Sequence, residues 1–181
     1  MAYSVPIHGM PPTLGTGETF ELSWELFGEL CRVLALRVAR EYDPEMVIGI
    51  ATAGVMPAAT IASILRADLY TMRISRRAHG ERVREQPEVM TAAPYQARGK
   101  RVLVVDELTT TGDTMRLALA AVRDTGPAEV CTAASFMRPG GYRPDFYALE
   151  TDALIVYPWD RQVLEDDMLV TNPIYAHVLQ S

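Results

Sequence analysis

The stretch from Val102 to Thr114, Val-Leu-Val-Val-Asp-Glu-Leu-Thr-Thr-Thr-Gly-Asp-Thr, constrains the fold of this chain more than any other. Four apolar residues, 102–105, read as a buried strand. Two carboxylates and a hydroxyl-rich turn follow, and then Met115, Leu119 and Val122 recur at helical spacing over 114–124. Similar pieces recur along the chain. Apolar runs bounded by turn residues predict further strands at 46–50, 69–74, 130–136 and 153–157, five in all. Helices are predicted at 57–65 and from Ser23 to about Glu41, where Phe27, Leu30, Leu34 and Val38 share a face and Pro44 lies just past the end. Alternating strands and helices predict an α/β fold with a mostly parallel central sheet. Residues 75–100 differ, with five arginines, Gly80, Pro87 and Pro94 and little periodicity. A connection of that length reads as a functional lid.

A length of 181 residues fits one domain spanning 1–181, and 49% apolar with 22% charged residues is a globular composition. Seventeen Lys and Arg against 23 Asp and Glu give a net charge of -6, which argues against a broad basic footprint for nucleic acid or an anionic membrane. Cys31 and Cys131 stand a hundred positions apart with no CxxC pair, so neither a disulfide framework nor a zinc site is indicated, and a reducing cytoplasm is expected. The uncharged run 46–65 is broken by Gly49, Gly54 and Pro57, as a strand–turn–helix would be. No transmembrane helix or secretion signal is read from the chain.

The turn after the strand has the makings of an anion site. Backbone N–H groups at a helix start and the hydroxyls of Thr109, Thr110, Thr111 and Thr114 suit a phosphate monoester, and the partial positive charge of the helix end adds to the attraction. Gly112 is expected to leave room for the phosphate. Asp106 and Glu107 beside it are acceptors for sugar hydroxyls or Mg2+. A ribose 5-phosphate satisfies both halves.

The segment resembles the phosphoribosyl-pyrophosphate (PRPP) motif of type I phosphoribosyltransferases. That resemblance implies that Asp106 and Glu107 hold the ribose hydroxyls, with Mg2+ bound directly or indirectly, and that Thr109, Thr110, Thr111, Gly112, Asp113 and Thr114 cradle the 5-phosphate. Ile48-Gly49-Ile50-Ala51-Thr52-Ala53-Gly54-Val55 resembles the family's pyrophosphate loop and assigns Thr52, Ala53 and Gly54 to the leaving group, small residues admitting backbone amides. Arg73-Ile74-Ser75-Arg76-Arg77-Ala78-His79-Gly80 is similar to the catalytic loop of orotate phosphoribosyltransferases, so Arg73, Arg77 and His79 are the catalytic candidates. Guanidinium forks suit phosphate oxygens.

Residues 136–139, 144–147 and 155–160, with Ser23-Trp24-Glu25, resemble instead the hood of xanthine/guanine/hypoxanthine phosphoribosyltransferases. In that group Arg138 would meet the purine 6-oxo group, and Tyr157, Trp159 and Asp160 would line the base pocket. Thr110 departs from it, standing where those enzymes place an aspartate at the purine N7 edge; orotate enzymes carry threonine there, yet the chain lacks their N-terminal base-binding segment. The resemblance implies the type I fold with a small hood from the N-terminal segment and about 137–181. It further implies transfer of 5-phosphoribosyl from PRPP to a nucleobase with release of pyrophosphate, Mg2+ as cofactor and a homodimer. A 6-oxopurine is the expected base, with orotate as the alternative and a non-catalytic PRPP-binding regulator as the alternative of another class.

Overall fold

Ser23 starts the first helix by accepting the N–H of Leu26 on its Oγ at 3.2 Å. Strand β1 (Thr19–Glu21) precedes that helix, α1 (Trp24–Glu41), and the units β2 (Met46–Ala51), α2 (Val55–Leu65), β3 (Asp68–Arg77) and β4 (Val83–Val89) follow it. Then come β5 (Arg101–Thr109), α3 (Asp113–Arg123), β6 (Glu129–Met137) and β7 (Phe146–Glu150). The chain closes with β8 (Leu154–Val156), β9 (Gln162–Glu165), β10 (Met168–Thr171) and α4 (Ala176–Leu179). The computed structural model describes residues 17–77 and 83–179, and the chain divides into two compact units, one of residues 30–150 and one joining residues up to Glu29 with those from Thr151.

Residues 30–150 carry a six-stranded sheet in the order β4-β3-β2-β5-β6-β7, parallel throughout except that β4 runs against β3. Helices cover both faces. Gly49 faces α2 so closely that a Cβ on it would lie 2.8 Å from the Cβ of Ala58, while its neighbours Ile48 and Ile50 pack with Met115, Ala118 and Val122 of α3. This two-sided burial explains why β2 and β5 read as unbroken apolar runs rather than alternating ones. Helix α1 adds to the α2 face, with the Cys31 thiol in contact with the Thr60 side chain.

In the other unit β1 pairs in parallel with β8, and β9 and β10 form a hairpin that turns at Asp166 and Asp167, both at positive φ. The expected count of five strands is therefore corrected to ten among the described residues. The strand expected at 153–157 exists as β8 but pairs with β1 rather than joining the central sheet. Of the lid expected over 75–100, residues 75–77 and 83–89 belong to the antiparallel strands β3 and β4, a short 3-10 turn lies at Tyr95–Ala97, and residues 78–82 lie outside the described residues. No helix among the described residues is long and apolar enough to cross a membrane.

Candidate active site

From β2 the chain moves outward to β3 on one side, and from β5 it moves to β6 on the other, so the carboxyl ends of β2 and β5 flank the point where strand order reverses. Open α/β sheets bind ligands at such a point. The loop after β2 sits hard against β5. A Cβ on Gly54 would lie 2.7 Å from the carbonyl oxygen of Ile50 and 2.9 Å from Cα of Asp106, so only glycine permits the contact. Smallness at Gly54 thus serves the packing of loop on strand. Thr52 is exposed and Ala53 half-buried, the Ala51–Thr52 peptide is cis, and the N–H groups of Val55 and Met56 donate to the carbonyls of Thr52 and Ala53 at 3.3 and 3.1 Å to close the turn into α2.

A concavity of about 110 Å³ is lined by Asp106, Leu108 and residues 109–115. It brings together Asp106, Thr109, Thr110, Thr111, Gly112, Asp113 and Thr114. Helix α3 opens here, and its first residues are where a helix leaves N–H groups without intrahelical acceptors. Arg116 N–H, donating to the Gly112 carbonyl at 2.8 Å, begins the ladder. Burial pushes the Asp106 carboxyl up to about 6, although the Glu107 N–H donates to its Oδ1 at 2.8 Å and pulls the other way. At neutral pH this is an ionised carboxylate held at a desolvation cost, a strong acceptor for hydroxyl donors.

Glu107 does not line the concavity. The strand runs on to Thr109 rather than stopping at Val105, and consecutive strand residues point to opposite faces, so the two acids diverge. Glu107 is half-buried, with its Oε2 in the interior. The threonines divide likewise. The Thr109 hydroxyl is buried with no partner among the described residues, and the Thr111 hydroxyl donates to Asp113 Oδ2 at 2.8 Å. Thr110 is exposed and Thr114 half-buried at the concavity.

The β6–β7 connection supports this turn and was not foreseen from sequence. Arg138 N–H donates to the Thr109 carbonyl at 2.9 Å and Tyr142 N–H to the Thr110 carbonyl at 2.7 Å. Gly112 has φ +85°, and the space a Cβ on it would take is filled by the Tyr142 ring. The expectation that Gly112 is small for the sake of the phosphate is corrected to this extent: its smallness admits Tyr142. Arg116 places its guanidinium 5.2 Å from the centre of that ring.

Of the catalytic candidates, Arg73 is exposed on β3, its N–H bonded to Thr91 Oγ1 at 2.7 Å and its carbonyl accepting from Met90 N–H at 2.7 Å. Arg77 ends β3, its backbone in register with Val83, and His79 lies outside the described residues. Arg138 is half-buried at the end of β6. In the other unit, Tyr157 stacks on Trp159 with centroids 4.9 Å apart, and Phe27 and Trp24 meet Trp159 at 5.0 and 5.9 Å. Asp160 accepts from the Tyr175 hydroxyl at 2.9 Å, and burial raises its carboxyl above the usual range. No group of three or more potential metal ligands occurs among the described residues.

The profile of the phosphoribosyl transferase domain matches residues 22–166. A xanthine-guanine phosphoribosyltransferase of Nitratidesulfovibrio vulgaris is 32% identical over 161 residues, covering 86% of this chain and 93% of that protein. An orotate phosphoribosyltransferase of Saccharolobus solfataricus is also 32% identical, but over 92 residues, 51% of this chain and 43% of that protein. Among solved structures, a purine phosphoribosyltransferase from Pyrococcus horikoshii Ot3 matches with a TM-score of 0.70 and 27% identity over 82% of this chain and 99% of that one. A Helicobacter pylori xanthine-guanine-hypoxanthine phosphoribosyltransferase matches in fold, with a TM-score of 0.65 and 18% identity over 78% and 94%.

Proposed function

Because the chain belongs to the phosphoribosyl transferase family, we propose that it transfers the 5-phosphoribosyl group of PRPP to a ring nitrogen of a 6-oxopurine and releases pyrophosphate. One observation carries the choice of base: the match to a xanthine-guanine enzyme runs through 93% of that protein, whereas the match to an orotate enzyme covers 43% of it. The first reaches the hood residues, which bear on the base.

The phosphate turn, residues 109–114, binds the 5-phosphate through amides at the start of α3. Asp106 accepts the ribose hydroxyls. Thr52, Ala53 and Gly54 face the leaving pyrophosphate, and Arg73, with Arg77 and His79, draws charge from it as the bond at the anomeric carbon breaks. Arg138 donates to the 6-oxo group of the base. A hard cation suits the oxygen donor Asp106 rather than Glu107, which points away from the concavity, since Mg2+ needs only one or two carboxylates and fills its sphere with water and substrate phosphates. When bound, it offsets charge on the pyrophosphate.

The free thiols Cys31 and Cys131 suit a reducing cytoplasm, and the exposed Leu164, Met168 and Leu169 of the β9–β10 hairpin support a homodimer, to be checked by light scattering. The deciding experiment incubates guanine, xanthine, hypoxanthine and orotate separately with PRPP and Mg2+ and follows nucleotide and pyrophosphate. Turnover of a purine is expected. Turnover of orotate alone rejects the base, and PRPP binding without turnover of any base points to a regulator.

A further inference from the structure

The geometry points to Arg116 as a positioning residue that orients the phosphate turn, an inference that rests on the reading above that this turn takes the 5-phosphate. In a trans peptide the C=O and the following N–H point in opposite directions across one plane, so fixing a carbonyl fixes the next amide. Four consecutive carbonyls are held here. Arg138 N–H takes that of Thr109 at 2.9 Å, Tyr142 N–H that of Thr110 at 2.7 Å, Arg116 Nη1 that of Thr111 at 2.8 Å and Arg116 N–H that of Gly112 at 2.8 Å. The amides so directed, on the opposite edge of each plane, belong to Thr110, Thr111, Gly112 and Asp113, all of which line the concavity.

Three of the four donors are backbone groups, and only the Thr111 carbonyl depends on a side chain. It is also the carbonyl with the weakest local restraint, because the peptide that carries it ends in Gly112, whose wide range of φ makes a peptide flip cheap. Flipped, that peptide would present an oxygen lone pair in place of the Gly112 N–H. Arg116 holds it. The guanidinium is itself steadied by the face of Tyr142 at 5.2 Å and by Asp113 Oδ1 at 3.5 Å, and with its side chain 59% exposed its loss leaves no cavity.

The test uses the full chain with Arg116→Met and Arg116→Lys, measuring ribose 5-phosphate and PRPP dissociation constants by calorimetry at low and high salt, with KM for PRPP and for the base. Arg116→Met should weaken both phosphate ligands by about tenfold, the scale of one charge-assisted hydrogen bond. Lysine can still donate to the Thr111 carbonyl, and Arg116→Lys should recover most of the loss. The weakening should persist at high salt, with KM for the base and the melting temperature unchanged. Wild-type affinity in Arg116→Met overturns the proposal, as does a weakening that vanishes at high salt, which marks simple charge attraction. A fall in melting temperature with equal loss of both KM values overturns it too. Failure of the transferase reading would appear separately, as a wild-type chain that binds ribose 5-phosphate but turns over no base. A wild-type chain that binds no ribose 5-phosphate overturns both.

Discussion

The aromatic ring of Tyr142 stands where a side chain on Gly112 would have to go. Two constraints meet at this glycine, the occupied space and a φ of +85° that disfavours any L side chain. Gly112→Ala should destabilise the chain by about 2 kcal/mol and weaken ribose 5-phosphate binding. In a Tyr142→Gly background the same change should cost about half as much, since only the dihedral penalty remains. Thermal melts of the four variants in the cycle check it. Equal costs in both backgrounds would mean the ring is not the obstacle.

Asp106 ties stability to pH in the direction opposite to most carboxylates. Its folded value of about 6 lies above the ordinary 3.8, so the native state takes up the proton more readily than the unfolded chain. The ionised group opposes folding above pH 6, and this opposition fades as pH falls through 6 toward 4. Asp106→Asn should therefore raise stability by about 2–3 kcal/mol at pH 8 and by little at pH 4, while PRPP affinity drops. Denaturant melts at the two pH values are the measurement. For wild type, PRPP binding should weaken below pH 6.

Arg73 is exposed, while its backbone is pinned by Thr91 and Met90. Removing the guanidinium should leave the strand in place. Arg73→Ala is expected to lower kcat about tenfold to a hundredfold with a melting temperature within about 1 °C of wild type. Unchanged turnover would assign the residue to the solvated surface.

Trp159 and Arg138 separate packing from recognition. Trp159 touches three rings, so Trp159→Ala should cost about 2 kcal/mol, and Trp159→Phe much less. Arg138 acts in the turn through its N–H, which any residue but proline retains. Arg138→Ala should accordingly raise KM for a 6-oxopurine by about tenfold and leave ribose 5-phosphate affinity unchanged. If both ligands weaken together, the side chain is not at the base.

Of the five strands that sequence revealed, β2, β3, β5, β6 and β8, the plainest are β2, β5 and β6, whose central residues are buried on both faces, because continuous apolar runs between turn residues have few other readings. The missed ones lack that signal. In β4, Val-Arg-Glu-Gln-Pro-Glu-Val neither alternates nor avoids proline, and it is a strand only because it lies at the sheet edge, where the missing N–H of Pro87 is tolerated. β1 buries only Phe20, and β9 and β10 leave Leu164, Met168 and Leu169 exposed. The phosphate turn was legible because it is contiguous. Arg138 and Tyr142, over 25 residues downstream, reach it through register and backbone, which no local pattern records. Arg116 was in view as part of α3, but its bond to Thr111 depends on the turn's path.

The way the β6–β7 connection grips the phosphate turn also sets which substitutions the chain can accumulate. The amides of residues 138 and 142, not their side chains, hold the Thr109 and Thr110 carbonyls, so as far as that grip is concerned nineteen residue types are interchangeable at each position and proline alone is forbidden. Gly141 between them is the reverse case: a Cβ there would lie 2.5 Å from the Thr110 oxygen, so no other residue fits without moving the loop. A saturation scan scored on ribose 5-phosphate binding should find position 138 permissive to all but proline beside a Gly141 that is nearly fixed, and such backbone contacts would hide half of the phosphate grip from any inventory of side chains.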